Sequence, residues 1–129
     1  MALLDVNHYN LRVPRVQHAA LVAFYVDVLG FEYRELPFGD RKLYWLWVAG
    51  RPLVHLTLTD EAPMPSGRAA AAGERVDHIA FSCSDLPAMR AHLTARGVAY
   101  TEKHYDAMRV TQIVVYDPVG LKIELNFAD

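Results

Sequence analysis

Asn7-His8-Tyr9-Asn10-Leu11 and Asp77-His78-Ile79-Ala80-Phe81 carry a histidine at the same point of two similar stretches, 70 residues apart. A second correspondence runs beside the first. Leu53-Val54-His55-Leu56 and Lys122-Ile123-Glu124-Leu125 set His55 against Glu124 at a spacing of 69. Spacings that agree to within one residue mark an internal repeat of about half the chain. The same pair arriving twice, once per repeat, points to two half-sites closing on one metal ion, since imidazole and carboxylate ligate borderline divalent cations.

Outward from these four residues, the elements of the first repeat follow from periodicity and punctuation. Leu4 to Val13 reads as a strand with Tyr9, Leu11 and Val13 on one face and His8, Asn10 and Arg12 on the other. Pro14 ends it. Arg15 to Leu29 reads as a helix with Leu21, Phe24, Tyr25 and Val28 at helical spacing and Gly30 at the left-handed cap. Strands are expected over Phe31–Leu36, Lys42–Val48 and Leu53–Thr59, the second rich in aromatics (Tyr44, Trp45, Trp47). The order is β-α-β-β-β.

Residues 59–75 hold Pro63, Pro65, Gly67, Gly73 and the run Ala69 to Ala72, and read as a linker with room for a helical turn through the alanines. Then the order recurs: a strand over Val76–Ser82, a helix capped by Ser84 or Asp85 with Pro87 in its first turn and Leu86, Met89 and Leu93 inward, Gly97, and strands over Val98–Glu102, Thr111–Tyr116 and Leu121–Phe127. The expected fold class is α+β. A single domain spans 1–129, with one βαβββ unit at about 4–58 and the other at about 76–127. Together they form a curved, half-open mixed sheet with the helices on its convex face. Strand parity puts His8, His78 and Glu124 on the polar, concave side, with Asn10, Arg12, Ser82, Lys122 and Asn126; His55 shares its face with Leu53 and Thr57. Arg12 and Lys122 are suited to an anionic substrate group.

Composition narrows the partners. At 53% hydrophobic residues the chain has ample material for a core, and its net charge of −2 without long runs of like charge argues against nucleic acid or an anionic membrane as partner. No apolar run approaches the roughly 20 residues that span a bilayer. Met1-Ala2-Leu3-Leu4-Asp5 has no basic region or signal core, and Cys83 stands alone, so the expected compartment is the cytoplasm and the thiol is read as inert. His18 and His92 are expected to be exposed on helices.

The sequence resembles the vicinal oxygen chelate superfamily, which includes glyoxalase I, bleomycin and fosfomycin resistance proteins, extradiol dioxygenases and methylmalonyl-CoA epimerase. The stretches that carry the resemblance are Phe24-Tyr25-Val26-Asp27-Val28-Leu29-Gly30-Phe31, Asp77-His78-Ile79-Ala80-Phe81 and Asp117-Pro118-Val119-Gly120-Leu121-Lys122-Ile123-Glu124-Leu125. The resemblance implies metal ligands on the first and last strand of each unit: His8, His78 and Glu124, with His55 where glyoxalase I has a second glutamate and the epimerase a glutamine. A histidine there departs from the glyoxalase pattern of two carboxylates that shuttle protons. The extradiol signature, a tyrosine ten residues before the last ligand, is also absent, since Val114 stands at that position.

The resemblance therefore implies a metal-dependent enzyme, and a homodimer is expected because two four-stranded half-sheets leave edges and apolar surface that a monomer covers poorly. The enzyme would chelate two adjacent oxygens of a small substrate on Fe, Mn, Ni, Co or Zn and carry out isomerase, lyase or transferase chemistry. Glu124 and His55 would be its catalytic groups, and Asn10, Arg12, Lys122 and Asn126 its substrate contacts. Two alternatives stand beside this: an Fe(II) extradiol-type ring-cleaving dioxygenase, and a non-catalytic binding protein that sequesters a drug.

Overall fold

The structure is a computed structural model and describes Met1 and residues 4–64 and 78–129. The chain divides into two compact units, Met1–Pro63 and Met64–Asp129. The element order of the first is β1 (Tyr9–Pro14), α1 (His18–Ala23), β2 (Glu32–Phe38), β3 (Arg41–Val48) and β4 (Arg51–Thr59). The second repeats it: β5 (His78–Cys83), α2 (Leu86–Ala95), β6 (Thr101–Tyr105), β7 (Val110–Tyr116) and β8 (Lys122–Ala128). The fold is α+β, and the βαβββ order expected of each repeat is present among the described residues. The alanine turn expected at 69–72 and the start of the second unit's first strand at Val76 and Asp77 lie outside the described residues.

Each unit builds a four-stranded mixed sheet, in the order β1-β4-β3-β2 and β5-β8-β7-β6. The first and last strands of a unit pair in parallel, Asn10 beside His55 in one and Ala80 beside Glu124 in the other. The remaining pairs are antiparallel hairpins, which bring Trp45 beside His55 and Val114 beside Glu124. Residues side by side in a ladder share a face. The last strand of each unit is thus flanked on both sides, and its central residue is held by two neighbours.

The helices cover one face of each sheet. On α1, His18 packs edge-on against Tyr33 and Tyr44, whose parity is opposite to that of Trp45. On α2, Arg90 forks onto Glu102, whose ladder partner Ile113 is opposite in parity to Val114. Leu21, Tyr25, Leu46 and Val54 in the first unit, and Leu93, Ile113, Val115 and Ile123 in the second, are fully buried. The faces that carry His55 and Glu124 are the ones without helices, as strand parity predicts.

Local chemistry explains the breaks. Gly30 takes φ +79 at the end of the first helical segment, and Gly97 takes φ +67 after α2, where a side chain would be strained. Asp85 caps α2 by accepting from the Ala88 amide at 3.0 Å. The continuous helix expected over Arg15–Leu29 is instead segmented: a 3₁₀ turn at Arg15–Gln17, α1, and a wide π turn at Phe24–Val28. The π turn accompanies complete burial of Tyr25, whose ring meets Phe31 edge-on at 5.3 Å. The strand expected from Leu4 begins only at Tyr9, because the ladder to β4 starts at Tyr9 opposite Val54. His8 therefore precedes the sheet.

Candidate metal and ligand site

In the first unit His8 lies against His55. Their rings stack with centroids 3.8 Å apart and planes 11° from parallel. Trp45, held opposite His55 by the β3–β4 register, stacks at 4.4 Å and 13°. Burial and the neighbouring His8 push His55 below the usual imidazole range, while a hydrogen bond to the Pro52 carbonyl opposes that shift. One His55 nitrogen therefore donates to backbone, and the neutral ring keeps its other nitrogen as an acceptor. His8 Nδ1 meets Asn7 Oδ1 at 2.8 Å. Imidazole lone pairs lie in the ring plane, so stacked rings direct them side by side. Joint ligation requires one ring to turn, and His8, outside the β ladder, is the less constrained.

In the second unit Glu124 is the centre of a polar network. Its side chain is only 11% exposed, a position in which a carboxylate needs partners. His78 Nε2 lies 3.4 Å from Oε2, and Lys122 Nζ lies 3.6 Å from Oε1. Gln112 Nε2 donates to Oε2 at 2.8 Å and to Asn126 Oδ1 at 3.1 Å. Sequence reading missed Gln112. The signal was present: β7 and β8 are joined by a tight turn, and counting back across it from Asn126 reaches Gln112.

The expected substrate contacts are distributed as follows. Asn10 Oδ1 accepts from Thr57 Oγ1 at 3.0 Å, next to His55. Arg12 pairs with Glu61 at 2.6 Å in an exposed bridge. Lys122 and Asn126 belong to the Glu124 network. An open cavity of about 640 Å³ in the first unit is lined by Asn10, Trp45, His55 and Thr57 among others. Trp45, noted in the sequence only as one of the aromatics of its strand, thus faces both His55 and the cavity.

The remaining histidines and the cysteine serve other roles. His18 is half-buried rather than exposed, with Nε2 3.1 Å from the Tyr33 hydroxyl. His92 is also half-buried. His104 contacts Thr111 Oγ1 at 3.0 Å and Asp106 Oδ1 at 3.1 Å. Burial pushes the Cys83 thiol up, in keeping with an unactivated sulfur.

A model of the Glyoxalase/Bleomycin resistance protein/Dioxygenase superfamily matches residues 5–125. The chain belongs to this superfamily. It is similar to the uncharacterized protein YaeR of Escherichia coli (strain K12), with 29% identity over 129 residues and 97% of each chain covered. Among solved structures, the glyoxalase family protein from Enterococcus faecalis has a TM-score of 0.70 at 24% identity, covering 95% of this chain and 96% of that one. The genomically encoded fosfomycin resistance protein FosX from Listeria monocytogenes reaches 0.70 at 18% identity, covering 99% and 96%. The antibiotic binding protein TnmS3 from Streptomyces sp. CB03234 reaches 0.65 at 24% identity, covering 100% and 99%. At these identities the structural likeness speaks for the glyoxalase fold alone.

The donor set fits a divalent cation in its chemistry. Three imidazoles and one carboxylate suit Fe, Mn, Ni, Co and Zn, and the lowered affinity of His55 for protons favours the neutral, ligating form. Among the described residues no group of three or more His, Cys, Asp or Glu side chains gathers as a metal site. Among the described residues no helix is long and apolar enough to cross a membrane.

Proposed function

We propose that the chain is a metal-dependent enzyme of the glyoxalase superfamily acting on a small substrate with two adjacent oxygens. The metal-holding residues are His8, His78 and Glu124, joined by His55. The observation that carries this reading is the pairing inside each unit: His8 in ring contact with His55, and His78 within 3.4 Å of Glu124. Two repeats that keep their partners together at matching positions are hard to explain by packing alone, since neither His8 nor His78 is buried.

A bound divalent cation supplies Lewis acidity to the chelated oxygens. The chain's own groups do the rest. Glu124, nearly buried and oriented by Gln112, would help to hold the metal and serve as the proton acceptor. His55, neutral and fixed by Trp45 and the Pro52 carbonyl, presents one nitrogen as ligand or base. Asn10, Arg12, Lys122 and Asn126 orient the substrate. The isomerase, lyase and transferase classes share these requirements.

A second reading, a small-molecule binding protein without turnover, is favoured by the cavity of about 640 Å³ beside Trp45. Its volume lies in the range of sites that enclose drug-sized ligands. Metal analysis separates the two readings. Protein prepared without a histidine tag and incubated in turn with Fe, Mn, Ni, Co and Zn should retain stoichiometric metal through desalting with at least one of them. Retention of none defeats the metal-dependent reading.

We also propose a homodimer, since each four-stranded sheet leaves edge strands that a second copy can cover. Light scattering at micromolar concentration should give twice the mass of the chain, and the monomer mass defeats this.

A further inference from the structure

The cavity of the first unit changes character along its length. At one end stand His55, Asn10 and Trp45; at the other stand Arg15, Arg41 and Lys42, with Asp40 as the lone carboxylate of the lining. The wall between is mainly apolar, with the Thr57 hydroxyl turned to Asn10. It includes Leu43 and Phe38, a large side chain 56% exposed to solvent that the fold leaves uncovered. The ladder gives the scale. From His55 to Leu58, both in the lining, is three residues along β4, about 10 Å at the rise of an extended strand.

The cationic end has spare capacity. Arg15 is held by Asp60 and Lys42 by Glu35, both at 3.3 Å in exposed pairs that cost little to exchange. Arg41 forms no ion pair among the described residues. A guanidinium beside an uncovered phenyl ring matches a planar anion attached to an apolar body, because its fork of donors binds carboxylate in a bidentate fashion.

We propose that this cavity takes an amphiphilic carboxylate, with its aromatic or alkyl body along Phe38, Leu43 and Trp45, its carboxylate at Arg41 and its opposite end at His55. The inference rests on the reading of this cleft as the small-molecule site, and not on the metal.

The test uses the full chain in a chelating buffer, so that loss of metal binding and loss of this site are read separately. Phenylhexanoate and phenylhexanol are matched probes that differ in charge. Trp45 lines the cavity and the chain has 2 tryptophans, so intrinsic fluorescence follows occupancy, with calorimetry as a second readout. The carboxylate should bind about tenfold tighter than the alcohol, the scale of one charge-assisted contact. Arg41→Glu should erase that preference and Arg41→Gln should reduce it. Arg96→Glu, the same charge change on an exposed residue of the other unit, should leave it intact. Arg41 is exposed, so these variants should keep the wild-type circular dichroism. Equal affinity for the two probes overturns the proposal. So does failure of either to bind up to about ten millimolar, or a loss in Arg41→Glu no greater than in Arg96→Glu.

Discussion

Gln112 donates from its side-chain amide to Glu124 Oε2 at 2.8 Å, and the same nitrogen reaches Asn126 Oδ1 at 3.1 Å. A carboxamide thereby fixes which way a nearly buried carboxylate faces. Groups that orient a metal ligand typically matter by about 10–100-fold in metal affinity. Gln112→Leu keeps the bulk and removes the donor. It should weaken divalent-metal binding within that range while the chain stays folded, measured by competition with a fluorescent chelator. Unchanged affinity would show that Glu124 needs no such support.

The sequence reveals a great deal of this arrangement. The two spacings that match His8 to His78 and His55 to Glu124 announce the duplication, and alternation along Leu121–Phe127 puts Glu124 opposite Ile123 and Leu125. Those inferences need only local periodicity. Gln112 escapes because its role depends on register across a hairpin, which the turn at Asp117–Gly120 sets. The stacking of His55 on Trp45 escapes for the same reason: Trp45 looks like any aromatic strand residue until β3 is aligned with β4. The π turn at Phe24–Val28 follows a residue pattern that reads equally well as α-helix, because either form places Tyr25 inward. Half-burial of His18 depends on Tyr33 and Tyr44, which arrive from strands more than ten residues away.

Asp117 predicts a stability effect separate from the site. It is fully buried, and its Oδ1 accepts from the Val119 and Leu121 amides at 2.9 Å each, closing the turn that delivers β8. Asp117→Ala leaves two amides short of an acceptor and should cost about 1–3 kcal/mol for each group left unsatisfied. Asp117→Asn keeps an acceptor oxygen and should cost less. Urea denaturation of both variants checks the order. Equal losses would mean that side-chain volume, not the acceptor, holds the turn.

The histidines give stability a pH dependence of definite sign. Burial, the largest cause, lowers both His18 and His55 from the ordinary value of 6.5. The unfolded chain therefore binds protons at a higher pH than the folded one, and stability rises with pH across this interval. Their contribution is complete above about pH 6.5 and is lost as pH falls through the lowered folded values. The melting temperature of metal-free protein should drop on acidification from neutrality, well before Glu32, Glu35 and Glu102, all lowered from 4.5, begin to protonate. His18→Gln should flatten the slope between neutrality and pH 5.5. A slope unchanged in that variant would assign the effect elsewhere.

Glu124→Gln tests the metal reading most directly. The substitution keeps the size of the side chain and an oxygen able to accept from Gln112, so the hydrogen bond at the centre of the network has a route to survive. Ile123 and Leu125, its neighbours on β8, are buried on the opposite face and should pack as before. What disappears is the negative charge. The other candidate ligands, His8, His55 and His78, are imidazoles and do not replace it. The ion pair to Lys122 at 3.6 Å disappears as well, which frees that ammonium beside the site and opposes a cation further. Metal affinity should therefore fall by at least about tenfold, on the order of 1.4 kcal/mol, with the circular dichroism spectrum of the wild type retained. His78→Ala should give a loss in the same direction, because His78 is exposed and its removal opens no apolar cavity. Isothermal titration of both variants with the metal that the wild type retains decides the matter. Wild-type affinity in Glu124→Gln would remove the carboxylate from the ligand set and leave the pairing of His78 with Glu124 as a salt bridge only.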